Sequence, residues 1–189
     1  MKFLALILNL LILQSAVAAE YQIATFAGGC FWCMEPPFDK AEGVVKTISG
    51  FSGGDKKNPT YEDVSSGRTR HIEAIQVTYD PKKISYKELL SIFWKQIDPT
   101  DPSGQFVDRG YQYSTAIFYR NEKEKQIAIQ SQREFQKYFK KKIVTKLLPF
   151  KHFYPAQEYH QDYYQKNPLR YKFYRYNSGR DQYLKKIWK

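Results

Sequence analysis

The sequence predicts an α+β domain in which helices pack on one mixed β-sheet. The chain has 189 residues, which is room for one ordinary domain. Hydrophobic residues make up 42% and charged residues 26%, a globular mixture that excludes collagen-like and wholly disordered chains. Strand-like and helix-like segments alternate along the chain. Only two cysteines are present, so the core must form by apolar burial rather than by disulfide cross-links.

Residues 1–19 are predicted to be a secretory signal peptide that is not part of this domain. Lys2 gives a basic start, residues 3–13 are apolar except for Asn9, and small residues precede Glu20. The alternative is an uncleaved membrane anchor, but the apolar run is shorter than the roughly 20 residues that a bilayer needs. We therefore expect cleavage before Glu20, a periplasmic or extracellular location, and no stable membrane insertion.

The strands are predicted from alternating apolar residues that are bounded by turn residues. The first strand, residues 21–27, ends at a glycine pair, and the second spans residues 43–50. Residues 71–79 form a clear strand that ends at an Asp-Pro turn. Two further strands are predicted at residues 114–120 and 143–148.

Helices are predicted between these strands. The first spans residues 30–40, directly after the glycine pair. Ser85 and Glu88 have the spacing of a capping box and open an amphipathic helix, and Asn121 with Glu124 opens another that reaches about residue 139. The order strand, helix, strand, strand, helix, strand, helix, strand predicts split βαβ units, as in a ferredoxin-like two-layer α/β sandwich.

The C-terminal part of the chain has a different composition. From residue 152 onward it is rich in aromatic residues, is broken by prolines and a glycine, and ends in a predicted basic helix at residues 180–189. We divide the mature chain into a main domain at residues 20–165 and a basic, aromatic, coil-rich extension at residues 166–189, and we expect the extension to pack on the same domain.

The sharpest local motif is Gly28-Gly29-Cys30-Phe31-Trp32-Cys33. The glycines let the backbone turn steeply, and the unpaired N–H groups at a helix start favour a negative charge. This position predicts a lowered pKa for Cys30 and a reactive thiolate. Cys33 lies one turn later on the same side of the helix, where it can attack an oxidised Cys30.

Other interpretations of the two cysteines stay open on the motif alone. They can be buried structural thiols. A zinc site would need two more ligands, and His152 and His160 are outside the usual His-x₃₋₅-His spacing. A general thioredoxin-like dithiol also has Cys-x-x-Cys at a helix start, although the bulky Phe31-Trp32 pair suits many protein partners poorly.

The strand pattern leaves two environments open for Glu73, and one of them is the core. Side chains alternate along residues 71–79, which puts Glu73 on the same face as Ile75 and Val77. Burial would raise its pKa and let it donate a proton near neutral pH, whereas the alternative is a strand-end carboxylate that reaches solvent or pairs with Arg68 or Arg70. A reactive thiolate beside a protonated acid suits the reduction of an oxidised sulfur compound.

The chain carries a surplus of basic residues. Lys and Arg number 30 and Asp and Glu number 19, so the formal net charge is +11. Such a surplus with many aromatic residues is compatible with a binder of nucleic acid or of an anionic surface. The basic residues of 133–146 and of the final helix, however, have the spacing of solvated helix faces, and export removes the chain from most nucleic acid. We expect no nucleic-acid partner.

Residues 28–33 resemble the active-site signature of the peptide methionine sulfoxide reductase A family. The resemblance extends over about residues 22–164, because further motifs follow in the order of the family: Gly50-Phe51-Ser52-Gly53-Gly54, Asn58-Pro59-Thr60-Tyr61-Glu62-Asp63-Val64, His71-Ile72-Glu73-Ala74, Tyr79-Asp80-Pro81, Phe93-Trp94, Asp98-Pro99-Thr100, Asp108-Arg109-Gly110-Tyr111-Gln112-Tyr113 and Pro155-Ala156-Gln157-Glu158-Tyr159-His160-Gln161.

The resemblance implies a role for each motif residue. Cys30 would be the nucleophile and Glu73 the acid that protonates the sulfoxide oxygen. Phe31 and Trp32 would form the apolar pocket for the S-methyl group. The polar end of the substrate would be bound by Tyr61, Asp108 and Tyr113.

The implied reaction is thiol-dependent reduction of the S epimer of methionine sulfoxide, free or in oxidised proteins and peptides. Cys30 becomes a sulfenic acid, Cys33 condenses with it to a disulfide, and an external thioredoxin-like dithiol reduces that bond. The resemblance implies no metal and no organic cofactor. We expect a monomer.

The chain departs from the family pattern at a few positions. Phe51 stands where Tyr is usual, and Arg70 and Ile72 flank His71 where Gly and Ala are common. Gln157 replaces a common Glu. Many relatives carry a resolving cysteine near the C-terminus, which this chain lacks, and Cys33 is therefore the internal candidate.

Overall fold

The computed structural model describes residues 20–188, and the predicted signal peptide at residues 1–19 lies outside them. Six strands form the main sheet and two short ones form a small hairpin. The strands are β1 (Gln22–Gly28), β2 (Val44–Ser52), β3 (Ile72–Tyr79), β4 (Gly104–Gln105), β5 (Asp108–Arg109), β6 (Thr115–Tyr119), β7 (Lys146–Pro149) and β8 (Phe153–Pro155).

The helices in order are α1 (Phe31–Asp39), α2 (Tyr61–Ser65), α3 (Tyr86–Trp94), α4 (Glu122–Gln136), α5 (Tyr163–Lys166), α6 (Pro168–Asn177) and α7 (Arg180–Ile187). In the first three quarters of the chain, α1, α3 and α4 were predicted at nearly their observed positions, whereas the short helix α2 was not predicted. The predicted capping box is present, because Ser85 Oγ accepts from the backbone N–H of Glu88 while the Glu88 carboxylate accepts from that of Ser85. Asn121 caps α4 through the N–H of Glu124.

The predicted ferredoxin-like sandwich is confirmed. The main sheet has the order β7-β6-β1-β3-β2-β8, and its four central strands with α1 and α3 form the βαββαβ unit of that fold. β6 and β7 are parallel and the other neighbours are antiparallel, so the sheet is mixed.

One face of the sheet carries the helices and the larger apolar core. There Phe26 of β1 stacks on Phe38 of α1 and Phe93 of α3, with ring centroids 5.5 and 5.4 Å apart. Ile75 and Val77 of β3 join the same cluster and are fully buried. Because residues two apart on a strand share a face, Glu73 also points toward this helical layer.

The C-terminal extension is helical rather than coil-rich, which corrects the prediction for residues 166–189. Pro168 opens α6, where its fixed φ and missing N–H are tolerated, and Gly179 adopts the left-handed conformation (φ 79°) between α6 and α7. The extension packs on the main domain, as expected, since α7 contributes Tyr183 and Ile187 to the main core. No helix within residues 20–188 has both the length and the apolar character needed to cross a bilayer.

Candidate active site

The cysteine motif forms a sharp turn between β1 and α1. Gly29 has φ +80°, and a Cβ at this position would lie 2.5 Å from Gln105 and 3.1 Å from Nη2 of Arg180. Glycine is therefore required both by the backbone and by the close approach of two side chains. Cys30 is the N-cap residue of α1, and Cys33 lies one turn later, with its N–H bonded to the carbonyl of Cys30 at 3.0 Å.

Glu73 is buried at the start of α1. Its side chain is 2% exposed, and Oε2 accepts a hydrogen bond from the backbone N–H of Phe31 at 3.1 Å. Burial raises the pKa of Glu73 to about 8, against the lowering effect of this hydrogen bond, and the charges of Asp108 and Cys33 add to the increase. The predicted burial and raised pKa are both confirmed, and the carboxyl is a proton donor at neutral pH.

The structure gathers seven of the eight predicted site residues at one small pocket of about 150 Å³. A cavity of this size holds a group as large as benzene. Cys33 is the exception, because it is fully buried behind the pocket wall. The lining residues are Cys30, Phe31, Trp32, Tyr61, Glu73, Asp108, Tyr113 and Tyr174.

Aromatic rings form the apolar wall of the pocket. The Trp32 ring stacks on Tyr163 with centroids 3.7 Å apart and an angle of 7° between the planes, and its Nε1–H donates to Nδ1 of His160 at 3.2 Å. Burial lowers the pKa of His160 to about 4, so this imidazole is neutral and can accept the bond. Phe51, directly opposite Glu73 in the β2–β3 register, packs at 6.0 Å from Phe31. The departure from Tyr at position 51 thus places an apolar ring near the carboxyl.

The polar wall presents hydroxyl groups. Burial raises the pKa of Tyr61 to about 12 and that of Tyr113 far above its usual value, so both phenols stay protonated and can donate hydrogen bonds. Tyr174 of α6 donates a hydrogen bond to Oδ2 of Asp108. Burial raises the pKa of Asp108, while this bond and the charge of Arg180 favour its ionised form.

The predicted lowering of the Cys30 pKa was wrong. Cys30 is 6% exposed, and its burial raises the pKa well above the usual value, with further increases from Cys33, Glu73 and Asp108. The start of a helix favours a thiolate, but the N–H of Phe31 is already bound to Glu73. Cys33 shifts in the opposite direction, because the hydrogen bond from Cys30 and the charges of Arg180 and Arg175 outweigh its burial and lower its pKa to about 7.

The histidines do not complete a zinc site with the cysteines. His160 is bonded to Trp32, and the ring nitrogens of His71 contact the backbone of Gly54 and Lys56. Within residues 20–188, the metal-binding side-chain types converge within 4.8 Å only in a group that contains neither cysteine, namely Glu35, Asp39 and Asp162.

The arginines named as alternative partners of Glu73 lie elsewhere. Nε of Arg68 donates to Ser66, and the guanidinium of Arg70 lies 5.8 Å from the ring centroid of Tyr111.

Some contributors to the site were not predicted from the sequence. Tyr174 lines the pocket, Tyr163 stacks on Trp32, and His160 orients the same indole. The many aromatic residues after residue 152 indicated that rings from this segment could contribute to the site, but they did not indicate which rings face the pocket.

A larger surface cleft of about 490 Å³ lies at the other end of β1. Its walls include Tyr79, Arg120 and Glu124, and it contains neither cysteine. The smaller pocket is therefore the candidate active site, since it combines thiol, acid and hydroxyl groups.

Two adjacent thiols, a protonated carboxyl and an aromatic pocket on a ferredoxin-like sandwich define a thiol-dependent redox site. The family model for peptide methionine sulfoxide reductase matches residues 22–189. The chain belongs to the peptide methionine sulfoxide reductase family, in its MsrA branch.

Two curated relatives illustrate the similarity. Bacillus licheniformis peptide methionine sulfoxide reductase MsrA is 51% identical over 174 residues, which are 91% of this chain and 96% of the relative. The Vibrio cholerae serotype O1 protein peptide methionine sulfoxide reductase MsrA/MsrB is 55% identical over 175 residues, which are 92% of this chain and 46% of the relative. This chain therefore spans less than half of the Vibrio protein.

Solved structures have the same fold. Reduced Mxr1 from Saccharomyces cerevisiae is 33% identical and superposes with a TM-score of 0.76 over 80% of this chain and 88% of Mxr1. Mxr1 in complex with Trx2 gives 27% identity and a TM-score of 0.55 over 77% of this chain and 86% of Mxr1.

Proposed function

We propose that this protein reduces the S epimer of methionine sulfoxide to methionine, in oxidised proteins and peptides and as the free amino acid. The main support is that the buried Glu73 carboxyl, whose pKa is raised to about 8, lines the same 150 Å³ pocket as Cys30. A thiol alone performs disulfide exchange, whereas loss of a sulfoxide oxygen also needs a proton donor.

The pocket can hold the sulfoxide in one orientation. Phe31 and Trp32 offer aromatic surface to the S-methyl group, and the Tyr61 and Tyr113 hydroxyls can donate to the oxygen. Asp108 would accept from the amide of the substrate. In the R epimer the methyl group and the oxygen exchange places, so the same orientation would put the oxygen against the apolar wall. This arrangement supports selectivity for the S epimer.

In the proposed reaction, the Cys30 thiol first loses its proton, for which the Cys33 sulfur is the neighbouring acceptor. The Cys30 thiolate then attacks the sulfoxide sulfur, and the proton of Glu73 goes to the sulfoxide oxygen. The attack forms an S–S bond between Cys30 and the substrate. The protonated oxygen then leaves the substrate sulfur as hydroxide and bonds to the Cys30 sulfur, which breaks the S–S bond, releases methionine and leaves Cys30 as a sulfenic acid. Sulfur in the substrate is reduced by two electrons, and Cys30 is oxidised by the same number.

Cys33 would resolve the sulfenic acid. Its sulfur attacks that of Cys30, the S–S bond forms, and the oxygen leaves as water. An external thioredoxin-like dithiol would then reduce the disulfide by thiol exchange. The yeast Mxr1 complex with Trx2 supports this type of partner.

The test is mass spectrometry after one turnover without reductant, using separated S and R epimers. We expect the S epimer to give methionine and a Cys30–Cys33 disulfide. Cys33→Ser should give methionine and a sulfenic acid on Cys30, and Cys30→Ser should give no methionine. Equal turnover of both epimers, or methionine formation by Cys30→Ser, would contradict the proposal.

We also propose that the mature enzyme begins at Glu20, is exported and is a monomer. The supporting feature is the basic, apolar and small-residue pattern of residues 1–19. N-terminal sequencing of the protein from the extracytoplasmic fraction should give Glu20 first, and light scattering should give the mass of one chain. An intact Met1 in the membrane fraction would contradict cleavage before Glu20, and recovery of the protein only from the cytoplasm would contradict export.

A further inference from the structure

The C-terminal extension places an unusual buried cation behind the cysteine pair. Arg180, the first residue of α7, is 1% exposed. Its Nη2 donates to the carbonyl of Gly28 at 3.0 Å, and its Nη1 donates to the carbonyl of Gln96 at 2.6 Å. The guanidinium is thus fixed at the glycine turn that precedes Cys30.

This buried charge has no carboxylate partner. Among residues 20–188, Arg180 does not belong to any ion pair, and its Nε is buried without a hydrogen-bond acceptor. Burying an unpaired charge costs on the order of several kcal/mol. A cation beside a helix N-terminus is also unfavourable, because that end of the helix carries a partial positive charge. Both costs are offset by negative charge nearby, and Arg180 favours the ionised forms of Asp108 and Cys33.

The adjacent helix adds a second cation on the same side. Nη1 of Arg175 in α6 donates to the carbonyl of Cys33 at 3.1 Å. The Arg175 side chain is 16% exposed and also pairs with Asp181 at 2.7 Å, so part of its charge is neutralised. Arg180, which lacks such a carboxylate, is expected to exert the larger effect.

We propose that Arg180, with help from Arg175, is a positioning residue that holds the negative charge of the thiol pair on Cys33. The proposal rests on the function above, in which Cys33 is the resolving thiol. Once Cys33 has released to solvent the proton that it accepted from Cys30, its thiolate attacks the Cys30 sulfenic acid, the S–S bond forms, the S–O bond breaks, and the oxygen leaves as water with a proton from solvent. The basic extension is then part of the redox centre.

The other groups that face Cys33 oppose or modulate this charge. Asp108 from β5 and Glu73 from β3 disfavour a second negative charge, whereas the Cys30 thiol at the start of α1 donates to it. Tyr171 and Tyr174 of α6 also face it and stay protonated, because burial raises the pKa of each. Arg175 and Arg180 are the cations of this set, and they are the groups that favour the thiolate through charge.

The test is titration of the single thiol in the Cys30→Ser background, followed by ultraviolet thiolate absorbance. This variant has no nucleophile and the measurement needs no substrate, so its outcome is independent of reductase activity. Adding Arg180→Met should raise the midpoint by about one pH unit, which is a tenfold fall in the ratio of thiolate to thiol at neutral pH. Arg180→Lys should keep the midpoint close to that of the Cys30→Ser background, because lysine keeps the positive charge.

Arg170→Met provides the matched control, since Arg170 is an exposed arginine of α6. We expect it to leave the midpoint unchanged. If Arg180→Met does not fold by circular dichroism, Arg175→Met should shift the midpoint in the same direction by a smaller amount. A midpoint that stays in place in the folded variants overturns the proposal. Absence of sulfoxide reduction in the unmodified protein would instead remove the proposed function.

Discussion

The backbone N–H of Phe31 donates to Oε2 of the Glu73 carboxyl at 3.1 Å and thereby joins the first turn of α1 to β3. This N–H is one of the free donors at the helix start that would otherwise stabilise an anion there. The carboxyl, rather than the Cys30 sulfur, occupies the position. Burial raises the pKa of Cys30 most, the charge of Glu73 adds to the increase, and the contact with Phe31 keeps this carboxyl at the same end of α1 as Cys30.

Glu73→Gln is expected to reduce methionine sulfoxide turnover by about 100- to 10,000-fold, the usual contribution of a general acid. The amide has nearly the same shape and can still accept from Phe31, so the pocket should stay intact. The measurement is the single-turnover rate of methionine formation with the S epimer.

Disulfide exchange with a small disulfide provides the control for Glu73→Gln, because that reaction needs the cysteines and not the acid. We expect it to proceed at the unmodified rate. A variant that retained full sulfoxide reduction would remove the acid role of Glu73.

Tyr174→Phe should lower kcat/KM for methionine sulfoxide by about tenfold, since one hydrogen bond to a charged group contributes about 1.5 kcal/mol. The hydroxyl of Tyr174 donates to Asp108, and its loss leaves a half-buried carboxylate without that partner. The matched control is Tyr176→Phe, because Tyr176 is 68% exposed on the same helix. Equal kinetics in the two variants would contradict the role of Tyr174.

Stability should fall as the pH rises through the neutral range. The usual pKa of a Glu carboxyl is 4.5, and burial raises that of Glu35 and Glu73 to about 8 in the folded protein. Between these values the folded state keeps protons that the unfolded state has released. The stabilisation is therefore complete below pH 4.5 and is lost as the pH rises toward about 8.

Thermal unfolding of Glu35→Gln measures this effect apart from the active site. The variant should show a flatter decline of Tm with pH than the unmodified protein. Glu88→Gln is the control of opposite sign, because hydrogen bonds from Ser85 lower the pKa of Glu88. An unchanged pH profile in Glu35→Gln would mean that Glu35 is ionised in the folded protein.

Phe26→Ala should destabilise the domain by about 3–5 kcal/mol, the usual cost of removing a buried phenylalanine. The Phe26 ring is fully buried between α1 and α3. Phe173→Ala should cost less than about 0.5 kcal/mol, because a surface substitution removes little packing and Phe173 is 74% exposed. Urea unfolding of the two variants provides the comparison, and similar midpoints would contradict the assigned core.

The fold was predictable because its signals are local. Alternation over residues 71–79 determines which face of β3 Glu73 occupies, and the capping residues Ser85 and Asn121 determine where α3 and α4 begin. The pKa of Cys30 was not predictable, because the motif indicates a helix start but does not indicate burial or the occupation of the Phe31 N–H by Glu73.

The remainder of the site depends on contacts between residues distant in sequence. The hydrogen bond from Tyr174 to Asp108 joins residues 66 positions apart in sequence, and the one from Arg180 to Gly28 joins residues 152 positions apart. Aromatic and basic residues are distributed all around α6, so periodicity does not separate its inner face from its outer face. The role of the extension therefore required the three-dimensional structure.

The burial of Cys33 has a kinetic consequence for the proposed cycle. Cys30 is 6% exposed and Cys33 is fully buried, so an incoming thiol must attack the Cys30 sulfur and displace Cys33. The reductant then approaches through the opening that the sulfoxide used one half-reaction earlier. The sulfoxide and the reductant cannot occupy this opening at the same time, so the proposed cycle predicts ping-pong kinetics. At high concentration the sulfoxide should bind to the disulfide form of the enzyme, block the reductant and inhibit turnover.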